Sequence, residues 1–377
     1  MTRILSRISL ISLCLTVLLF LWELPFFFSP GIINASSNLI YHAYVFAWML
    51  ALFWTRFTVS ARTTINFWFV GIYPSMLLSV LITLPFISLS GVARTAAGFL
   101  LVPFVEEAAK LLPVGLFLWY LSRQNRWQPS ASDGSLLGWL VGAGFTIHED
   151  AIKRILFAQG WSGSRYNPLL PTIVGSGGHF LAGHAVWTAF AGMATGFAFL
   201  YRKHRWARII PVIVFALVVL DHARVNAPEG DLFFVRWLRW ILGDGELTIA
   251  LFLASIVAVF LIEGYLLAKW GRRDWLFSAV SIKEAFKPGS FISRVRQFRD
   301  VVTYQRLRRA AHYRLWQWDG NVEFEPASEM SAILFALAQK IGLHPENKFE
   351  EVLTMSIPAD RKTYSGASAD PGSSVEA

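Results

Sequence analysis

The chain has 377 residues, 55% of them hydrophobic and only 16% charged, with a formal net charge of +9. Soluble domains carry about 25% charged residues, so this composition excludes a soluble fold for most of the chain and selects an integral membrane protein. The basic excess does not call for nucleic acid, because the cytoplasmic loops of membrane proteins concentrate Lys and Arg. The single cysteine, Cys14, excludes an internal disulfide or a multi-thiolate metal site; inside its apolar run it reads as an inert buried thiol.

A membrane-crossing helix needs about 20 mostly apolar residues. Eight stretches qualify: 8–28, 39–54, 65–89, 96–121, 135–157, 180–201, 209–226 and 247–269. The expected fold is therefore all-α, a polytopic bundle of about eight spans. The first span follows Arg3 and Arg7 and reads as a signal anchor, since its apolar run is long for a signal peptide and lacks a clear small-residue cleavage site. Pro74 predicts a kink in the third span. Arg56, Arg62, Arg123, Arg126, Arg202, Lys203, Arg205, Arg208, Arg272 and Arg273 lie in loops that share one side of an eight-span bundle. That side is then the cytoplasm, with both termini in it, in a cell (cytoplasmic) membrane. Arg224, Arg236 and Arg239 fall on the other side and fit the rule poorly; 232–242 reads as an amphipathic helix in the interface.

Three regions follow: a transmembrane domain over 1–270, a basic and partly helical cytoplasmic region over 271–364, and a disordered tail over 365–377. In the second, Arg294, Arg296, Arg299, Arg306, Arg308, Arg309 and Arg314 alternate with apolar residues, a pattern suited to an anionic leaflet.

Ionisable residues inside membrane helices cost roughly 2.5–3.5 kcal/mol each on insertion, so they usually mark function. Here four successive spans carry them. The fourth holds Glu106, Glu107 and Lys110; Glu106 and Lys110, four apart, are expected to pair. Two adjacent carboxylates in low dielectric do not both ionise easily, which suits activation of water. The fifth holds Gly142, Gly144, Phe145, His148, Glu149 and Asp150, with small residues that let helices approach closely. The sixth holds His184 and, one turn on, Thr188; the seventh holds His222 and, one turn on, Asn226. Each alone reads as well as a packed or paired structural group. Together they predict one site in the middle and outer half of the bundle, opening to the extracytoplasmic face.

These residues resemble a known family. Glu-Glu-x-x-Lys at 106–110, Gly-x-Gly-Phe-x-x-x-Glu at 142–149, His-x-x-x-Thr at 184–188 and His-x-x-x-Asn at 222–226 occur in the order found in PrsW-type intramembrane peptidases. That group looks related to the CAAX prenyl endopeptidases and bacteriocin-processing membrane proteases. The resemblance covers about 96–226. Where such proteins commonly have Glu-Asn, this chain has Glu149-Asp150.

The resemblance implies catalytic positions at Glu106, Glu107, Glu149, His184 and His222, with Lys110, Asp150, Thr188 and Asn226 in support. Glu106 or Glu107 would be the general base. The implied substrate is a single-pass membrane protein, for example an anti-sigma factor cut during regulated proteolysis. Both metallo- and glutamate-type chemistry are described for such enzymes. If a metal such as zinc is bound, the expected ligands are Glu107, Glu149, His184 and His222. The lack of a His-Glu-x-x-His motif tilts the reading slightly towards metal-free. Two other classes fit the composition: a proton-coupled transporter, since buried Glu and His also build relays, and a non-catalytic membrane scaffold acting through its basic tail.

Overall fold

The computed structural model describes residues 32–53, 56–90, 96–123, 128–157, 165–166, 173–174, 180–227, 233–273 and 290–318, with isolated helical positions at 14, 18, 21, 334, 336–338 and 340. Most of the first expected span, most of the 319–364 region and the tail lie outside the described residues. Helix α1 spans Ile32–Phe53. α2 (Ala61–Val70) passes through a π turn, Gly71–Ser75, into α3 (Met76–Ser90). The π turn holds Pro74, so the expected kink appears as a widened turn that accommodates the missing N–H.

Next come α4 (Ala96–Arg123) and α5 (Ala131–Phe157). A three-stranded antiparallel ribbon follows, with β1 (Arg165–Tyr166), β2 (Ile173–Val174) and β3 (Phe180–Leu181) in that spatial order. Then come α6 (His184–Leu200), α7 (Ile210–Asn226), α8 (Phe233–Leu242), α9 (Glu246–Arg273) and α10 (Phe291–Trp318). The fold is helical, and the ribbon is a correction to a purely helical expectation. It also shortens the sixth expected span, because the chain is a strand at 180–181 and Gly183 holds an extended conformation before the helix starts at His184.

Among the described residues, three helical stretches are long and apolar enough to cross a membrane: Ala61–Phe86, Arg205–Asn226 and Arg236–Ala268. The apolar helices Ile40–Phe53 and His184–Leu200 are shorter. α4 and α5 have 28 and 27 residues, ample length at about 1.5 Å per residue, but carry the charged groups of the site. Exposed Leu77, Leu81 and Leu84 on α3, Val212 and Ile213 on α7, and Val257 and Leu261 on α9 form outward apolar faces, as lipid contact requires. Cys14 belongs to such a face. It is exposed, with Leu18 and Leu21 four and seven residues on, so it is not buried in protein as its apolar setting suggested.

The centre of the bundle is α5. Built onto its glycines, a Cβ would strike neighbouring backbone: Gly134 against Gly192, Gly138 against Thr188 and Gly142 against His184, all on α6. A glycine on its other side, Gly144, lies against Trp68 of α2 in the same way. Small residues four apart let two backbones touch, and here they clasp α5 between two helices. Trp139 is fully buried, stacks on Trp48 (centroids 5.2 Å apart) and donates to the Val45 carbonyl at 2.7 Å, fixing α1 alongside.

At the α5 N-terminus, Asp133 accepts from the Thr58 and Val59 amides at 2.5 and 3.2 Å and from the Ser130 amide at 3.1 Å. It thereby satisfies N–H groups that the helix start and the 57–60 loop would otherwise leave unpaired. Glu263 of α9 bonds both the amide and the hydroxyl of Ser132, and Tyr313 of α10 donates to it at 3.1 Å. Arg306 and Arg309 of α10 donate to the carbonyls of Thr58 and Phe57 at 3.1 and 3.2 Å. The basic region that begins after α9 is therefore docked on this end of the bundle.

Candidate active site

The four charge-bearing spans correspond to α4, α5, α6 and α7, and their polar side chains meet. Glu107 is buried (2% exposed) and its Oε1 accepts from Lys110 Nζ at 2.5 Å and from His222 Nδ1 at 2.9 Å. Thr188 Oγ1 lies 3.5 Å from Glu107 Oε2. The partner of Lys110 is thus Glu107, three residues back, rather than the expected Glu106. Both spacings put side chains on one helix face, and the buried partners of Glu107 settle the rotation.

Lys110 Nζ also lies 2.6 Å from His184 Nδ1 and 4.5 Å from the Phe145 ring centroid. An ammonium only donates, so Nδ1 of His184 accepts and its proton sits on Nε2. That nitrogen donates to Glu149 Oε2 at 2.7 Å. His222 has the opposite tautomer. Its Nδ1–H goes to the Glu107 carboxylate, and Nε2 accepts from the Asn226 amide at 3.1 Å. These proton positions are assigned from the bonding pattern.

His222 is also held from the side. Trp187 stacks on it with centroids 4.4 Å apart and planes 20° apart, and the indole N–H donates to Asp221 at 2.8 Å. Asp221 in turn pairs with buried Arg224 at 3.0 Å. Arg224 reaches under the turn between α8 and α9, where Gly245 has φ +98° and a Cβ would collide with the guanidinium. Arg224 is therefore a buried structural cation and not a loop charge.

A cavity of about 230 Å³ opens beside this cluster. Glu149, His184, His222 and Asn226 line it from α5, α6 and α7, and Tyr41 and His42 line it from α1. His42 Nε2 lies 3.2 Å from Asp150 Oδ2, tying α1 to α5 at the cavity wall. His42 is a site residue that the reading of four spans passed over. It was visible as an ionisable residue within an apolar stretch, the same signal that marked the others.

Glu106, His184 and His222 each offer a ligand atom within 4.8 Å of the others, a set that could hold a metal ion. Glu106 Oε2 is buried, makes no hydrogen bond among the described residues and faces His222 Nε2 at 3.5 Å. The one lone pair of that nitrogen is taken by the Asn226 amide, so a cation bound there would displace Asn226 and would at the same time satisfy the buried Glu106 oxygen. Carboxylate, imidazole and imidazole is also a donor set that zinc accepts. The set differs from the expected ligands: Glu106 enters, while Glu107 lies behind His222 as its hydrogen-bond acceptor and Glu149 behind His184. Carboxylates in that position orient ligating histidines.

A helical membrane bundle that gathers carboxylates and imidazoles at one internal cavity has the parts of a membrane-embedded hydrolase. A family model described as PrsW family intramembrane metalloprotease matches residues 44–262, more than half of the chain. The chain belongs to that family, as the four motifs suggested, and it is a membrane peptidase. No curated protein and no solved structure matches it.

Proposed function

We propose that this protein is an endopeptidase of the cell membrane. It would hydrolyse a peptide bond in or near the transmembrane segment of a single-pass protein, with a membrane-bound regulator such as an anti-sigma factor as the substrate class. We further propose that it does so as a metalloenzyme, reversing the metal-free tilt of the motif reading. The observation that carries this is the convergence of Glu106, His184 and His222 around a buried Glu106 oxygen that makes no hydrogen bond among the described residues.

Glu106, His222 and His184 would hold the ion, which when bound supplies a Lewis acid and lowers the pKa of its water. Glu107, neutralised by Lys110, holds the Nδ1 proton of His222 and so leaves Nε2, which now accepts from Asn226, as the nitrogen a cation could claim. His184 would complete the set, its ring held by Glu149 at Nε2. Glu149 lines the cavity beside His184. It is the carboxylate placed to take a proton from water and return it to the leaving amine. Asn226, also at the cavity wall, is the donor placed for the developing oxyanion. The transporter reading gains nothing from Glu263, a deep carboxylate of α9, because Ser132 and Tyr313 engage it at the far end of α5.

The test is cleavage in proteoliposomes. Wild type, Glu106→Gln and Glu149→Gln would meet a panel of single-pass membrane proteins with and without a chelator, read by mass spectrometry. Cleavage by wild type that both substitutions abolish, and that a chelator stops and zinc restores, is the expected result. Chelator-resistant cleavage would overturn the metal. Cleavage that survives both substitutions would overturn the site.

A further inference from the structure

One face of α10 changes character along its length. Phe291, Val295, Phe298, Val302, Arg306, Arg309 and Tyr313 follow one another at spacings of three or four and so form one stripe. In the C-terminal half this stripe meets the bundle: Arg306 and Arg309 reach the carbonyls of Thr58 and Phe57, and Tyr313 reaches Glu263. In the N-terminal half the same stripe turns outward. Phe291 is 81% exposed, Val295 51% and Phe298 43%, with Ile292 beside them at 64%.

The other side of the helix is already occupied. Val301 and Tyr304 are buried there, and Asp300 pairs with Lys340 at 2.8 Å. The exposed apolar stripe, most open at Phe291, Ile292 and Val295, therefore points the way the docked stripe points. At about 1.5 Å per residue, Phe291 lies roughly 33 Å along the axis from Tyr313. Arg294, Arg296 and Arg299 are exposed around the apolar residues.

We infer that the N-terminal half of α10 lies on the bilayer as an interfacial foot. Phe291, Ile292, Val295 and Phe298 enter the headgroup–acyl boundary, and Arg294, Arg296 and Arg299 bind anionic headgroups of the same leaflet. An apolar arc flanked by cations is what such a surface selects. The bundle contacts of the C-terminal half set the helix at the height of that surface. The inference does not depend on the peptidase chemistry.

The test uses the full chain with Cys14→Ser and a single new cysteine, Val295→Cys or Gln297→Cys, carrying an environment-sensitive dye. The protein is reconstituted in vesicles of zwitterionic lipid, with or without phosphatidylglycerol, and quenched by acyl-chain nitroxide or aqueous iodide. The nitroxide should quench the dye at 295 about twofold or more over that at 297, and more strongly with the anionic lipid. Combined Arg294→Gln, Arg296→Gln and Arg299→Gln should remove the lipid dependence. A dye at 295 open to iodide in every vesicle would overturn the inference. So would a dye shielded from iodide but untouched by the nitroxide, which would mean that protein, a second copy or the C-terminal segment, covers the stripe. Quenching indifferent to both anionic lipid and the arginines would overturn the headgroup assignment.

Discussion

Gly142→Ala is the smallest change that should disable the site without touching any of its polar groups. The added Cβ would lie 2.7 Å from the His184 carbonyl carbon and 2.8 Å from the Ala185 Cα, and would overlap the His184 carbonyl oxygen. Non-bonded carbons rest at about 3.5–4.0 Å, so α5 and α6 must part there by on the order of 1 Å. Such overpacking costs about 1–3 kcal/mol, against about 0.5–1 kcal/mol gained from replacing a helical glycine. His184 is the first residue of α6, and its 2.7 Å bond to Glu149 crosses the same seam. Opening by 1 Å takes that bond out of hydrogen-bonding range, and misplacement of that size costs roughly 10²-fold in rate. Initial cleavage rates in proteoliposomes, paired with the unfolding temperature in detergent, measure both effects. Gly115→Ala is the control, since its Cβ would meet nothing within 4 Å. Gly142→Ala at wild-type rate with unchanged unfolding would refute the close α5–α6 contact as the device that positions His184.

Asp221→Asn leaves Arg224 buried without its countercharge and should destabilise the protein by about 3–5 kcal/mol; Asp221→Asn with Arg224→Met should recover most of that in a detergent unfolding assay, and failure to recover would deny the pair's structural role. His42→Ala removes the tie to Asp150 at the cavity wall and should lower cleavage by roughly tenfold, the low end for groups behind a site; an unchanged rate would make the pair a mere boundary contact. Burial, with the Arg308 charge second, pushes the His312 imidazole on α10 down to about 4 from an ordinary 6.5. The folded state then binds fewer protons than the unfolded state between those values. Stability from this group is complete above pH 6.5, is lost as pH falls through 6.5 towards 4, and levels off below. Unfolding temperature against pH should show that slope in wild type and lose it in His312→Gln; an identical slope in both would assign the titration elsewhere.

The polar cluster was legible because membrane helices tolerate so few charges that Glu106, Glu107, Glu149, His184 and His222 stood out by chemistry alone. Their detailed pairing was not. Glu106 and Glu107 differ by about 100° of helix rotation, and either can reach Lys110. The choice depends on His222 and Thr188, which come from other helices. The ribbon at 165–181 was not legible, since two-residue strands show no alternation to read. Nor was the direction of the outward faces: Cys14 sits in an apolar run that suits lipid contact and protein burial equally. Gly142 and Gly144 did announce close packing, but not that they face opposite neighbours, α6 and α2.

That double clasp has a bearing on traffic. A peptide arriving from the bilayer would have to pass between two of the protein's helices to reach the cavity. At the glycines of α5 the seams with α6 and α2 close backbone to backbone, so parting them there means moving whole helices. The wall contributed by α1 is of another kind. Near the cavity it is held by side chains, His42 to Asp150, and a rotamer change is enough to release them. At that point the rim of the cavity can loosen without any helix moving.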